Sequence, residues 1–187
     1  MILGLDISTS TVGFTLMNLT GGVEYMWYVK PEGDNMYDKV SSAFNFIRII
    51  VKPHVVLTGP VTAIYAEAPN IMFRAGFSTA QTLSKILRFN GALLFTLSTF
   101  YNILPQEAMA VSMRKQVIGR GRFAKGLDTK QEVLKWVQSQ MPSFRWPVID
   151  KGKNTGKTTP ECFDIADSYV VARYGLLNES RSNKPKT

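Results

Sequence analysis

ILGLDISTSTVGF, residues 2–14, decides the fold. Residues 2–7 form an apolar strand pattern with one carboxylate, Asp6, inside it. Ser8, Thr9, Ser10 and Thr11 make a short hydroxyl-rich turn, and a second apolar run follows. A charge within a buried strand is costly unless it is paired or holds a metal. Asp6 therefore needs partners, and the rest of the chain must supply them.

Working outward, residues 12–18 and 23–29 read as a second and third strand, with Asn18-Leu-Thr-Gly-Gly as hairpin chemistry between them. Short turns between consecutive strands imply an antiparallel meander. Residues 36–51 carry helical spacing at Met36, Val40, Ala43, Phe44, Ile47 and Ile50, and Lys52-Pro53 predicts the helix end. Residues 63–66 read as a short buried strand that stops at Glu67-Ala-Pro69. A long helix is expected over 77–100, with Asn90-Gly91 as a kink or closely packed point. A strand over 103–111 and a short helix over 112–118 follow. Thr129 and Glu132 stand in capping-box spacing and open a helix that runs to about Met141. A polar loop over 142–159 leads to Pro160, which fits the first turn of a last helix ending near Leu177. The order predicts an α/β fold: one mixed five-stranded sheet, three antiparallel strands then parallel ones, with helices on both faces. No internal repeat or linker is visible. The expected organisation is a single domain over 1–177 and a flexible tail over 178–187.

Composition narrows the chemistry. The 187 residues are 45% hydrophobic, enough for a sizeable core. Cys162 is the one cysteine, so no intrachain disulfide can form, and His54 is the one histidine. Zinc sites built from Cys and His are excluded, and a Ser-His-Asp mechanism would rest on His54 in an ordinary VKPHVV context. No secretory signal is visible, and the longest apolar stretch, 91–104, is too short to span a bilayer. The expected location is the cytoplasm, with no membrane partner.

The net charge of +8 is segregated. Residues 1–109 hold seven basic and seven acidic residues, and 158–187 hold four of each. Residues 110–157 hold eleven basic and three acidic residues, so the whole excess lies there. Phe123, Trp136, Phe144 and Trp146 are interspersed. A glycine-containing, positive segment suits phosphate contacts and points to nucleic acid.

Four acids stand in apolar settings. Asp6 is mid-strand, and Glu67 closes the strand in IYAEAP. Asp164 and Asp167, in ECFDIADSYVVA, share a helix face at i,i+3 spacing. Each alone fits a cap or an ion pair. Together they are an oxygen-only ligand set, which favours hard divalent ions such as magnesium or manganese. Two such ions would clamp a scissile phosphate, and the basic segment would hold the strand.

At this point the sequence resembles the RuvC-type Holliday-junction resolvases of the RNase H-like, retroviral integrase-like nuclease superfamily. ILGLDISTSTVGFTL is similar to the first strand, turn and second strand, with Asp6 at the first catalytic Asp. IYAEAP is similar to the strand ending in the catalytic Glu, here Glu67. VSMRKQVIGRGRFAKGLDTKQEVLKWV resembles the family's basic segment, and FDIADSYVVA the closing acid-x-x-acid helix. Order and spacing agree over about residues 1–175. The D-x-S-T-S-x-x-G turn alone also resembles sugar kinases and heat-shock ATPases, but those need two such domains. The loop APNIMFRAGFST departs from the bacterial pattern, in which an aromatic follows the Glu closely; Phe73 and Phe77 are the junction-stacking candidates. Residues 146–159 look longer than in bacterial members, which is consistent with a bacteriophage source acting in a bacterial cell or infected host.

The resemblance implies a homodimeric crossover junction endodeoxyribonuclease that resolves four-way DNA junctions by symmetric hydrolysis, leaving a 5′-phosphate and a 3′-hydroxyl. Asp6, Glu67, Asp164 and Asp167 would be catalytic and hold two Mg2+ ions, with Mn2+ able to substitute. Lys115, Arg120, Arg122, Lys125 and Lys130 are the DNA-contact candidates, Lys130 also toward the scissile phosphate, with Arg74 and Arg88 as weaker ones, and the long helix is the dimer-interface candidate. The rivals are an RNase H-like nuclease acting on flaps or RNA–DNA hybrids, a non-catalytic junction-binding protein, and a fragment of an ATP-dependent phosphotransferase.

Overall fold

The computed structural model describes residues 1–69 and 80–182. Five strands form one sheet: β1 (Ile2–Ile7), β2 (Val12–Met17), β3 (Val23–Val29), β4 (Ala63–Glu67) and β5 (Gln106–Ala108). Their order is β3-β2-β1-β4-β5. β1 pairs antiparallel with β2 and β2 with β3, whereas β1–β4 and β4–β5 are parallel. This is the expected mixed sheet.

The helices are α1 (Met36–Thr58), α2 (Ala80–Tyr101), α3 (Ala110–Ile118), α4 (Thr129–Gln140) and α5 (Glu161–Ser182). Strand alternation sorts the two cores. Leu3, Leu5, Ile7, Phe14 and Leu16 pack with Val40, Ala43 and Ile47 of α1 and Phe89, Leu93 and Leu97 of α2. Ile2, Met17, Met26 and Tyr65 pack with Met113 of α3, Val133 and Val137 of α4, and Ile165 and Val170 of α5. Both faces are covered, which is why β1 reads as a nearly unbroken apolar run.

Several expected boundaries move. Pro53 does not end α1; it lies inside the helix, which stops at Gly59, where φ is 107° and the amide bonds Val55 O at 3.1 Å. Pro53 removes one ladder bond, but Val51 is buried and Val55 packs on the core, so continued burial outweighs the break. By length and composition α1 could cross a membrane; here Val40, Ala43, Ile47 and Val51 are buried in the core. β5 is three residues rather than the expected 103–111. Pro105 offers no amide, β4 has only Tyr65, Ala66 and Glu67 left to pair, and α3 begins at Ala110. Asp128, not Thr129, caps α4, accepting from the Lys130 amide at 2.9 Å. Gly91 is exposed with open space around its Cα, so it is not a closely packed point. The last helix continues past Leu177 to Ser182, held where the Tyr65 hydroxyl donates to Glu179 (2.9 Å) and the Gln116 amide to Asn178 (3.1 Å).

Candidate active site

The site lies where β1 and β4 end, on the α5 side of the sheet. Asp6 stands near the end of β1, on the face that carries Ile2 and Gly4. Glu67 is the last residue of β4, pointing to the same side as Ala63 and Tyr65. Asp164 and Asp167 are one turn apart on α5, which crosses this face. The fit of α5 against the sheet is set by small residues. A Cβ on Gly13 would collide with the Asp164 carbonyl, and one on Gly4 would stand 2.7 Å from the Ala172 Cβ. A buried hydroxyl pair adds direction: Ser168 donates to the Ile165 carbonyl at 2.8 Å, which leaves the Thr15 hydroxyl to donate to Ser168 Oγ, also at 2.8 Å. The Ser8–Thr11 turn is tied by its own side chain, as Ser8 Oγ accepts from the Thr11 amide (3.0 Å) and donates to the Thr11 carbonyl (2.8 Å).

The four carboxyls feel one another. Burial, then Asp167, Glu67 and Asp164, push Asp6 well above the usual carboxylate range. Burial and then Asp167 raise Glu67 to about 7. Burial raises Asp167 to about 6, against the opposing pull of Lys130 and Arg114. Asp164 is raised by burial, offset in part by Lys130 and by a side-chain hydrogen bond with Asp6. Three parts of the chain, far apart in sequence, thus converge on one negative site.

Two cations answer it. Lys130, near the start of α4, acts on all four carboxyls, and its Nζ lies 6.0 Å from the centre of the Phe163 ring. Arg114 on α3 lowers Glu67 and Asp167, and its buried Nε has no hydrogen-bond partner among the described residues. In the sequence Arg114 is one of the eleven basic residues of 110–157; only the burial of its neighbour Met113 and the packing of α3 on α5 set it apart.

Lys115, Arg120, Arg122 and Lys125 are exposed on α3 and the loop after it, with Arg120 5.9 Å from the Phe123 ring. The structure therefore places Lys130 with the carboxyls and leaves those four as a solvent-facing group. Arg74, Phe73 and Phe77 lie outside the described residues. His54 is inside α1, its ring 5.6 Å from that of Tyr25 on the opposite side of the sheet from the carboxyls.

Among the described residues, no three His, Cys, Asp or Glu side chains stand ready-grouped for a metal. The donor chemistry nevertheless fits one. The candidate ligands are all oxygens, and they raise one another's proton affinity by repulsion. A hard divalent cation would relieve that repulsion.

Known structures share this arrangement of elements. The Thermus thermophilus RuvC structure is 13% identical, with a TM-score of 0.61 over 96% of this chain and 96% of that one. T. thermophilus RuvC in complex with a Holliday junction substrate is also 13% identical, with a TM-score of 0.66 over 97% and 95%. The chain has the RuvC fold. The yeast mitochondrial Holliday junction resolvase Ydc2 is 14% identical, with a TM-score of 0.55 over 97% of this chain and 81% of that one. No protein-family model and no curated protein sequence matches the chain. The RuvC likeness spans the sheet and the helices that frame the carboxyls, so the resemblance read from four short motifs extends to the fold.

Proposed function

We propose that the chain is a divalent-metal-dependent endonuclease that resolves four-way DNA junctions as a homodimer. One observation carries the reading. Asp6, Glu67, Asp164 and Asp167, from β1, β4 and α5, are half-buried at one end of the sheet and shift one another's ionisation, a repulsion that a cation would relieve. The RuvC fold supports the choice of substrate, since one structure of that fold is a complex with a Holliday junction.

Asp6, Glu67, Asp164 and Asp167 would hold two Mg2+ ions. Ions held there would supply a water of lowered pKa and offset charge on the phosphate being cut. The chain's own residues do the rest. Lys130, facing the carboxyls from α4, is placed to contact a phosphate beside them. Arg114 holds Glu67 and Asp167 toward their ionised, ligating form at neutral pH. Lys115, Arg120, Arg122 and Lys125 grip the backbone through charge, not base identity. The products are a 5′-phosphate and a 3′-hydroxyl. Leu87 and Phe95 on α2 are 44% and 72% exposed, an apolar face suited to a second copy.

The test is cleavage of a four-way junction, a flap and an RNA–DNA hybrid, each with Mg2+ and with chelator. Paired symmetric nicks in the junction, lost with chelator and in Asp6→Asn, are expected. Activity confined to the hybrid or the flap overturns the substrate reading.

A further inference from the structure

The sheet end that carries the carboxyls has a second side. Across the Ser8–Thr11 turn, between the starts of α1 and α2, lies a cavity of about 450 Å³. Lys39, Lys85 and Arg88 line it, with Thr9 of the turn at its rim and Asp34 as its one acid. None of the three cations makes an ion pair among the described residues, where the ion pairs are Lys30–Glu161 and Lys135–Glu132. Phe89, buried beneath them, gives an apolar floor on which the aliphatic stems can lie while the charged ends stay in water. The α1 N-terminus is not the attraction, because Asn35 Oδ1 already takes the Tyr37 and Asp38 amides at 2.9 and 3.0 Å.

We propose that this cavity is a second phosphate-binding site, which holds the DNA backbone on the opposite side of the turn from the basic segment. The inference rests on the nuclease reading and deepens it. Residues 1–109 carry balanced charge overall, yet three of their seven basic residues converge on this one cavity. Three separate cations around an open trough suit successive phosphates of a polyanion. The turn that bears Thr9 follows directly from the strand that bears Asp6. A strand lying over the carboxyls therefore meets Lys130 and the basic segment on one side and this cavity on the other. The scissile phosphate is held between two anchors, which fixes its position along the chain as well as its depth.

The experiment measures four-way junction binding without divalent metal, across a salt series, with ethylation interference on the bound complex. The full chain is compared with a Lys39→Gln/Lys85→Gln/Arg88→Gln triple variant and with Arg120→Gln/Arg122→Gln/Lys125→Gln. All six residues are outside the core, and thermal midpoints equal to wild type confirm that both variants fold. Each triple variant is expected to bind roughly tenfold or more weakly, and its log Kd against log salt slope is expected to fall by about two to three. The cavity variant should lose interference at phosphates on one side of the cut position, and the other variant at phosphates on the opposite side. A cavity variant with the wild-type slope and interference pattern overturns the proposal and leaves the function standing; a site for small free anions only would give that same result. Wild-type protein that binds no junction overturns the function itself.

Discussion

Gly13 on β2 lies directly beneath the backbone carbonyl of Asp164, so close that no side chain fits between them. The contact sets how deeply α5 seats on the sheet, and hence how far Asp164 stands from Asp6. Gly13→Ala tests it with one methyl group. In a strand, Gly→Ala normally gains stability, by roughly 0.5–1 kcal/mol. Here the methyl must push α5 away, and overpacking of this kind costs about 1–3 kcal/mol. Urea denaturation should therefore show a loss. Cleavage should fall far more than junction binding, because the carboxyls separate while the basic segment is untouched. A stabilised, fully active Gly13→Ala would remove this contact from any account of the site.

The carboxyl cluster makes the metal-free protein sensitive to pH in a definite direction. Burial, and then the neighbouring acids, raise Asp6, Glu67 and Asp167 above their ordinary values, Glu67 to about 7 and Asp167 to about 6. A folded chain with raised carboxyl pKa values keeps protons that the unfolded chain has released. The site therefore does not oppose folding below about pH 4, and its destabilising effect grows as pH rises toward 7. Asp6→Asn removes one charge from the cluster. The melting temperature of metal-free Asp6→Asn minus that of wild type should be small near pH 4 and should increase toward pH 7. At neutral pH the variant should melt above wild type, in the direction set by the burial and the neighbouring acids that raise Asp6. Mg2+ should narrow the difference by stabilising wild type. A difference that does not change with pH would mean that the four carboxyls do not interact.

Much of this was legible in the sequence, for reasons that individual residues make plain. Asp6 within an apolar strand, Glu67 at a strand end and the Asp164/Asp167 pair each conflicted with a simple core, and such conflicts mark sites. The antiparallel start of the sheet followed from hairpin chemistry at Asn18–Gly22, and its parallel remainder from helices between the later strands. What stayed hidden depends on tertiary contact. Pro53 looks like a helix end because local rules ignore the burial of Val51 and Val55 on either side of it. Arg114 looks like one more surface cation until α3 docks on α5 and its Nε is buried. The cavity cations Lys39, Lys85 and Arg88 come from two helices that local sequence cannot bring together.

Arg114 should act through the acids it faces. Removing its charge while keeping its bulk, as in Arg114→Met, lets Glu67 and Asp167 rise further, because both lose a cation that lowers them. Protons then compete better for the carboxyls, so a higher pH is needed to ionise the site. The pH–rate profile for junction cleavage should move to higher pH, with roughly tenfold less activity at pH 7 for each unit moved. Arg114→Lys, which keeps the charge, should restore most of the profile. A uniform loss at every pH, shared by the Lys variant, would assign Arg114 to packing instead.

The proposed homodimer puts the exposed face of α2 to a test. Leu87 and Phe95 are exposed at 44% and 72%, and Gly91 between them presents no side chain and meets open space. A helix with that face outward can approach a second copy of itself closely. In a twofold contact each substitution acts twice. Burying one such side chain is worth about 1.5–3 kcal/mol, so Phe95→Glu removes roughly 3–6 kcal/mol from a dimer and adds two desolvated charges. The dimer Kd should rise at least about a hundredfold, which sedimentation at micromolar protein would show as a monomer. The monomer keeps Asp6, Glu67, Asp164 and Asp167 intact, so it should still nick a junction slowly while losing the coupling between its two strands. If Phe95→Glu sediments as wild type and its nicks stay paired, the contact between copies lies on another face.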